Sequence, residues 1–171
     1  APGRVRVQPD GAELPAKNII IATGARPRAL PGMEFDGETI LNSWQAVMMR
    51  DAPASMLIVG GGPIGCEYGY VFNAYDCKVT LVELMPHLLP LEEPEISELV
   101  QKQFTKQGMQ VRTESKVSSI ERTGGGIRAR IAGPKGEEDI EAERMLVAVG
   151  VQGNVENLGL GGINELANQL M

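Results

Sequence analysis

Cysteine is nearly absent: Cys66 and Cys77 stand alone in 171 residues. Two cysteines cannot build a disulfide framework, and their separation matches neither a zinc site nor a Cys-x-x-Cys redox pair. They read as small buried apolar side chains in a reducing compartment, the cytoplasm or a mitochondrial matrix. Histidine occurs once, as His87. With no partner nucleophile in view, it reads as a surface or packing residue rather than a general base. The 16 basic residues form no run, and the net charge of -6 would repel phosphate backbones and anionic lipid, so nucleic acid and membrane surfaces are excluded as partners. Long hydrophobic runs are missing too. The longest, such as Ile19 to Ala22 and Met145 to Val149, fall far short of the roughly 20 residues a bilayer span needs. No secretory leader pattern, internal repeat or low-complexity segment is visible.

What remains is ordinary globular material. Hydrophobic residues at 43% and charged residues at 22% suit a soluble cored domain, and the length favours one domain with incomplete flanks. Arg4 to Val7 alternates polar and apolar, Pro9-Asp10-Gly11 offers a turn, and Ile19 to Ala22 predicts a buried strand. Prolines 27 and 31 with Gly32 mark a linker. Ser43 is placed to cap a short helix through Met49. Met56 to Val59 predicts a buried strand, Pro63 to Ala74 a helix and Lys78 to Glu83 a second strand, which closes a βαβ unit. Pro94 to Gln107, with Ile96, Leu99, Val100 and Phe104, predicts an amphipathic helix ended by Gly108. Met109 to Arg112 predicts a third strand. Val117 to Arg122, Ile127 to Ile131 and Asp139 to Glu141 predict antiparallel strands, and Met145 to Val149 an apolar one.

The chemistry concentrates in one turn. Gly60-Gly61-Gly62-Pro63-Ile64-Gly65 lies between a predicted strand and a predicted helix, which is the context a dinucleotide fingerprint requires. Its first glycine permits a tight turn, its second a close approach of main chain to a pyrophosphate, and its third close packing of helix on strand. Glu83 ends the next strand roughly 20 residues on, where an acidic side chain accepts from adenosine ribose hydroxyls and opposes a 2'-phosphate. The following Leu84-Met85-Pro86-His87 holds no arginine. NAD is therefore expected over NADP.

Taken together, Ala22-Thr23-Gly24-Ala25-Arg26-Pro27, Leu30-Pro31-Gly32, the run Gly60 to Glu67 and the strand Val79 to Glu83 resemble the pyridine nucleotide-disulfide oxidoreductases. Ile58 to Glu83 and Leu146 to Val151 are most similar to the dihydrolipoyl dehydrogenase branch. The resemblance implies an α/β fold: a Rossmann-like NAD(P)-binding domain with a parallel sheet, flanking helices and an antiparallel meander over residues 39–150. Residues 1–38 then correspond to a partial flavin-domain segment and linker, and residues 151–171 to a return segment and a tail that leaves the pattern. It further implies that Glu67 sits near the nicotinamide, that Val117 touches the adenine, that Gly150 lets the chain pass close to the dinucleotide, and that Thr23 and Gly24 approach FAD. For Glu67, Val117 and Gly150 the residues alone also allow plain solvation, strand packing and a strand-end turn.

The family's other parts have no match. No Cys-x4-Cys pair, flavin-binding glycine fingerprint or His-Glu pair occurs in the chain. The expectation is the NAD(H)-binding part of a flavin-dependent disulfide oxidoreductase, inactive alone, whose partners are NAD(H) and the parent's flavin and dimerisation domains. With Ile19, Ile20 and Ile21 left uncovered, a homodimer through the N-terminal segment is also expected. An NADH oxidase, a mercuric reductase or a non-catalytic Rossmann interaction module remain open alternatives.

Overall fold

A computed structural model describes residues 4–158. The tail from Gly161, expected to leave the pattern, lies outside the described residues. The chain forms two compact units, one from the residues up to Arg26 together with those from Gly153, the other from Pro27–Gln152.

In the first unit, β1 (Arg4–Arg6) and β2 (Glu13–Pro15) pair antiparallel with Val5 opposite Leu14. Glu13 bridges Arg4 and Arg6 across this ribbon. The buried strand expected at Ile19 to Ala22 is not there: the segment has no strand structure, and Ile19, Ile20 and Ile21 are 52%, 92% and 49% exposed. A strand needs a neighbour for its backbone groups, and no described residue pairs with this one. The chain leaves the unit through β3 (Ala25–Pro27).

The second unit is built on a parallel sheet. Residues 27–38, read from the sequence as linker, supply it with Met33, which is buried, and with Leu30 and Phe35 packed against its core. β4 (Ile40–Leu41) leads into α1 (Ser43–Val47). The helix is capped by Asn42, not by Ser43 as expected. Asn42 accepts from the Gln45 N–H and Gln45 from the Asn42 N–H, a reciprocal box that leaves Ser43 as the first helical residue. β5 (Ser55–Val59), α2 (Pro63–Ala74) and β6 (Lys78–Val82) form the βαβ unit, close to the predicted bounds. α3 (Pro94–Lys106) and β7 (Gln110–Arg112) follow. The meander comprises β8 (Lys116–Thr123), β9 (Gly126–Gly133) and β10 (Gly136–Ala142), in order β10-β9-β8. The chain then returns as β11 (Arg144–Val147) and passes through β12 (Val151–Gly153) into the first unit. The sheet order is β4-β11-β5-β6-β7, with every neighbour parallel.

Alternation along the strands explains the layers. In β5, Met56 and Ile58 join a core shared with Cys66 and Phe72 of α2 and Phe104 of α3, whereas Leu57 and Val59 join Ile127, Ala129 and Ile131 of the meander. Helices therefore cover one face and the meander the other. A strand buried on both faces reads as the unbroken apolar run seen in the sequence. Each fully buried side chain such as Ile58 stabilises the fold by about 1.5–3 kcal/mol over its exposed state.

The packed stripe of α3 keeps Val100 and Phe104 but differs in part from the one its periodicity predicts. Ile96 and Leu99 of α3 are about half exposed, and the packed face is Ser97, Val100 and Phe104. Ser97 is fully buried and its hydroxyl donates to the Leu89 carbonyl at 3.2 Å, which sets the helix one position off its apolar periodicity. Among the described residues no helix is long and apolar enough to cross a membrane.

Candidate dinucleotide site

The carboxyl ends of β5, β6 and β11 meet at one edge of the sheet. β6 and β7 extend from β5 on one side, while β11 arrives on the other after the meander, so the strand order reverses beside β5. Open parallel sheets bind their ligands at such a switch point.

Gly60 follows β5 there. It donates to the Val82 carbonyl at 2.8 Å with φ +107, and a Cβ at this position would stand 2.3 Å from the Ala148 carbonyl oxygen. A side chain is thus barred by both conformation and space. At Gly61 a Cβ would meet Leu88 at 2.7 Å and Glu83 at 2.9 Å. At Gly65 it would lie 1.8 Å from the Gly60 carbonyl oxygen, which is the close helix–strand approach. Gly62 is different. Its φ of -72 and ψ of -174 suit any residue, and no protein atom lies within 4 Å of where its Cβ would stand.

Gly62 is also the N-cap of α2, where it makes no side-chain cap, and Pro63 occupies the first helical position. The first-turn N–H groups, including that of Ile64, therefore have no side-chain acceptor. An uncapped helix end with positive partial charge beside an open glycine fits a phosphate anion. The donor set and the open cradle fit the pyrophosphate of a dinucleotide.

Glu83 lies just past β6 and is 8% exposed. Its carboxylate accepts the Gly61 N–H at 2.5 Å and the Met85 N–H at 2.7 Å. Its main chain is held as well, by the Arg112 carbonyl and the Ser115 N–H. A carboxylate has about four lone-pair sites, so acceptor capacity remains for hydroxyl groups.

Gly150 adopts φ +101 and its carbonyl accepts the Arg28 N–H at 3.0 Å. A glycine is required there by the backbone itself. Val117 is half-buried, opposite Ile131 in the meander core, so packing accounts for it. It follows Ser115, which donates to Glu83, by two positions. Glu67 is exposed and borders a groove of about 490 Å³ between α1 and α2, beside Tyr68 and Val71. Thr23 and Gly24 belong to the other unit, where the Thr23 hydroxyl donates to the Asn154 carbonyl and the Gly24 carbonyl accepts the Asn154 N–H. The structure thus brings Gly60–Gly65, Glu83 and the turn before Gly150 together at one sheet edge.

Ala148, Leu88 and Leu89 also partner the glycine turn, contacts that motif spacing does not reveal. Leu88 is fully buried over Gly61, and the Leu89 N–H donates to the Gly61 carbonyl at 2.8 Å. Two leucines inside a proline-rich loop were the available signal. His87 is half-buried, with Nδ1 3.2 Å from the Leu88 carbonyl. Both thiols are free and buried. Burial, then the charges of Glu83 and Glu67, pushes Cys66 up to about 11; burial, then Glu143, does the same for Cys77. Neither is a thiolate nucleophile near neutral pH. No metal-holding cluster of His, Cys, Asp or Glu occurs among the described residues.

A strand, a glycine turn, a helix and an acidic strand end thus stand together at the switch point of a parallel sheet. The family model for pyridine nucleotide-disulphide oxidoreductases matches residues 2–168, and the chain belongs to that family. Within it, the chain is 45% identical to the dihydrolipoyl dehydrogenase of Rhizobium etli over 85% of its length and 30% of the relative's. It is 46% identical to that of Chlorobaculum parvum over 88% of this chain and 33% of that one. Among solved structures, LpdA from Mycobacterium tuberculosis superposes with a TM-score of 0.77 at 29% identity, over 92% of this chain and 34% of that one. The chain spans about a third of the length of these relatives.

Proposed function

We propose that the chain is the NAD(H)-binding part of a flavin-dependent disulfide oxidoreductase of the dihydrolipoyl dehydrogenase type. One observation carries the reading. Gly60, Gly61 and Gly65 are glycines because protein atoms leave no room for a side chain, but nothing in the fold requires glycine at Gly62. A ligand's close approach supplies the missing reason.

When bound, NAD(H) supplies a nicotinamide that exchanges hydride with a flavin. The chain's own residues bind and orient. The Gly60–Gly65 turn and the start of α2 take the pyrophosphate, and Glu83 takes the adenosine ribose hydroxyls and repels a 2'-phosphate. In the whole protein, Thr23 and Gly24 belong on the FAD side. Glu67 is assigned to the nicotinamide end, Val117 to the adenine, and Gly150 to the chain's passage beside the dinucleotide. The remaining partners are flavin and dimerisation domains like those of the relatives. Two buried thiols that are not ionised near neutral pH suit a reducing cytoplasm or matrix, and they leave these 171 residues without a dithiol relay of their own. Calorimetric titration of the chain with NADH and with NADPH tests the reading. NADH should bind at least about tenfold tighter, the size of one charged hydrogen bond; equal affinity would remove Glu83 from its assigned role.

A further inference from the structure

The Glu83 carboxylate already has partners within the chain. One oxygen accepts the Gly61 N–H and the other the Met85 N–H, in a side chain that is almost wholly buried. Gly61 is gripped from its other sides too. A Leu88 methyl carbon stands 2.7 Å from where its Cβ would be, and its carbonyl accepts the Leu89 N–H and the Cys66 thiol. The loop after β6 and the glycine turn are therefore joined at Gly61, and Glu83 is the acceptor that serves both.

We infer that Glu83 is a positioning residue for the pyrophosphate turn, holding Gly61, and through it Gly62, in the conformation that receives phosphate, separately from any contact with the ribose. This rests on the NAD(H) reading and adds a second role to the same carboxylate. The two roles differ in sign for a suitable ligand. A carboxylate near a pyrophosphate repels it by charge. If ribose contact were its only role, removing Glu83 would leave unchanged, or improve, the binding of a phosphate ligand without ribose hydroxyls. If it holds the turn, removal leaves the Gly61 and Met85 N–H groups without their acceptor, and that same ligand loses affinity.

The test uses ADP and 2',3'-dideoxy-ADP, titrated calorimetrically into the chain and its Glu83→Gln and Glu83→Ala variants. Gln keeps the side-chain size, but its amide oxygen serves only one of the two donors. Dideoxy-ADP should bind about tenfold more weakly to Glu83→Ala, with Glu83→Gln between it and the parent chain, as expected for the loss of hydrogen bonds to a charged group. Circular dichroism on each variant confirms that only folded protein is compared. In the ligand-free chain, the Gly61 and Met85 amide protons should resonate downfield and exchange slowly, and at least one should lose this in Glu83→Gln. Unchanged or tighter dideoxy-ADP binding in both variants, or amide signals indifferent to the substitution, overturns the positioning role. Failure of the parent chain to bind ADP at all overturns the NAD(H) reading instead.

Discussion

Gly65 lies so close beneath Gly60 that a Cβ on Gly65 would stand 1.8 Å from the Gly60 carbonyl oxygen. Gly65→Ala therefore forces backbone, not a flexible side chain, to move, and Gly60→Ala meets the Ala148 carbonyl while also straining a positive φ. Each should destabilise the fold by about 3 kcal/mol, the upper range for overpacking. Thermal unfolding should show a Tm lower by about 6–12 °C. A Tm within 2 °C of the parent, on the order of experimental scatter, would show the turn to be more plastic than its geometry implies.

Asp36 ties the start of the sheet to the meander. Its carboxylate accepts the N–H groups of Glu38, Thr39 and Ile40 and pairs with Arg122 of β8. Burial on its own would raise its pKa, but the three N–H donors and the Arg122 guanidinium outweigh it and hold the group at about 2, below the ordinary 3.8. A folded-state pKa depressed in this way stabilises fully above about 4, and the contribution fades as pH falls toward 2. Asp36→Ala should lower urea stability by about 1–3 kcal/mol at pH 7. The difference from the parent should shrink between pH 4 and pH 2. A difference that is constant across that window would mean the carboxylate's charge is not what stabilises the turn.

Ile19, Ile20 and Ile21 are exposed in succession, and each forgoes about 1.5–3 kcal/mol of burial if left in water. A second copy of the chain, meeting it through the same segment, is the proposed cover. Light scattering should report a dimer for the chain and a monomer for Ile20→Asp, at equal circular dichroism. A monomeric parent chain would discard the proposal.

Much of the second unit was legible in its residues. The unbroken apolar run of β5 and the glycine turn opening on Pro63 are local signals, and both elements fall close to their expected bounds. The meander was legible for the same reason, since its turns are written in Gly124–Gly126 and Gly133–Gly136. What escaped was tertiary. Ile19 to Ala22 has the composition of a buried strand, yet its burial depends on neighbours that the described residues do not provide. The packed stripe of α3 follows a serine hydroxyl seeking the Leu89 carbonyl, a partner no periodicity reveals. At the site, the fingerprint glycines and Glu83 were readable by spacing. That Glu83 also holds Gly61, and that Ala148 closes over Gly60, depend on chain segments brought together only by folding.

Gly62 decides the central claim. Gly62→Val adds a side chain where the fold has open space and an ordinary φ, so the variant should keep the parent's Tm while filling the place assigned to the pyrophosphate. Calorimetric titration of NADH into the parent chain and into folded Gly62→Val is the most direct measurement. The expected result is binding by the parent and a loss of at least about a hundredfold in the variant, or roughly 2.7 kcal/mol, at unchanged stability. Equal NADH affinity in the two proteins would contradict it, and would make the glycine turn a packing element with no dinucleotide upon it.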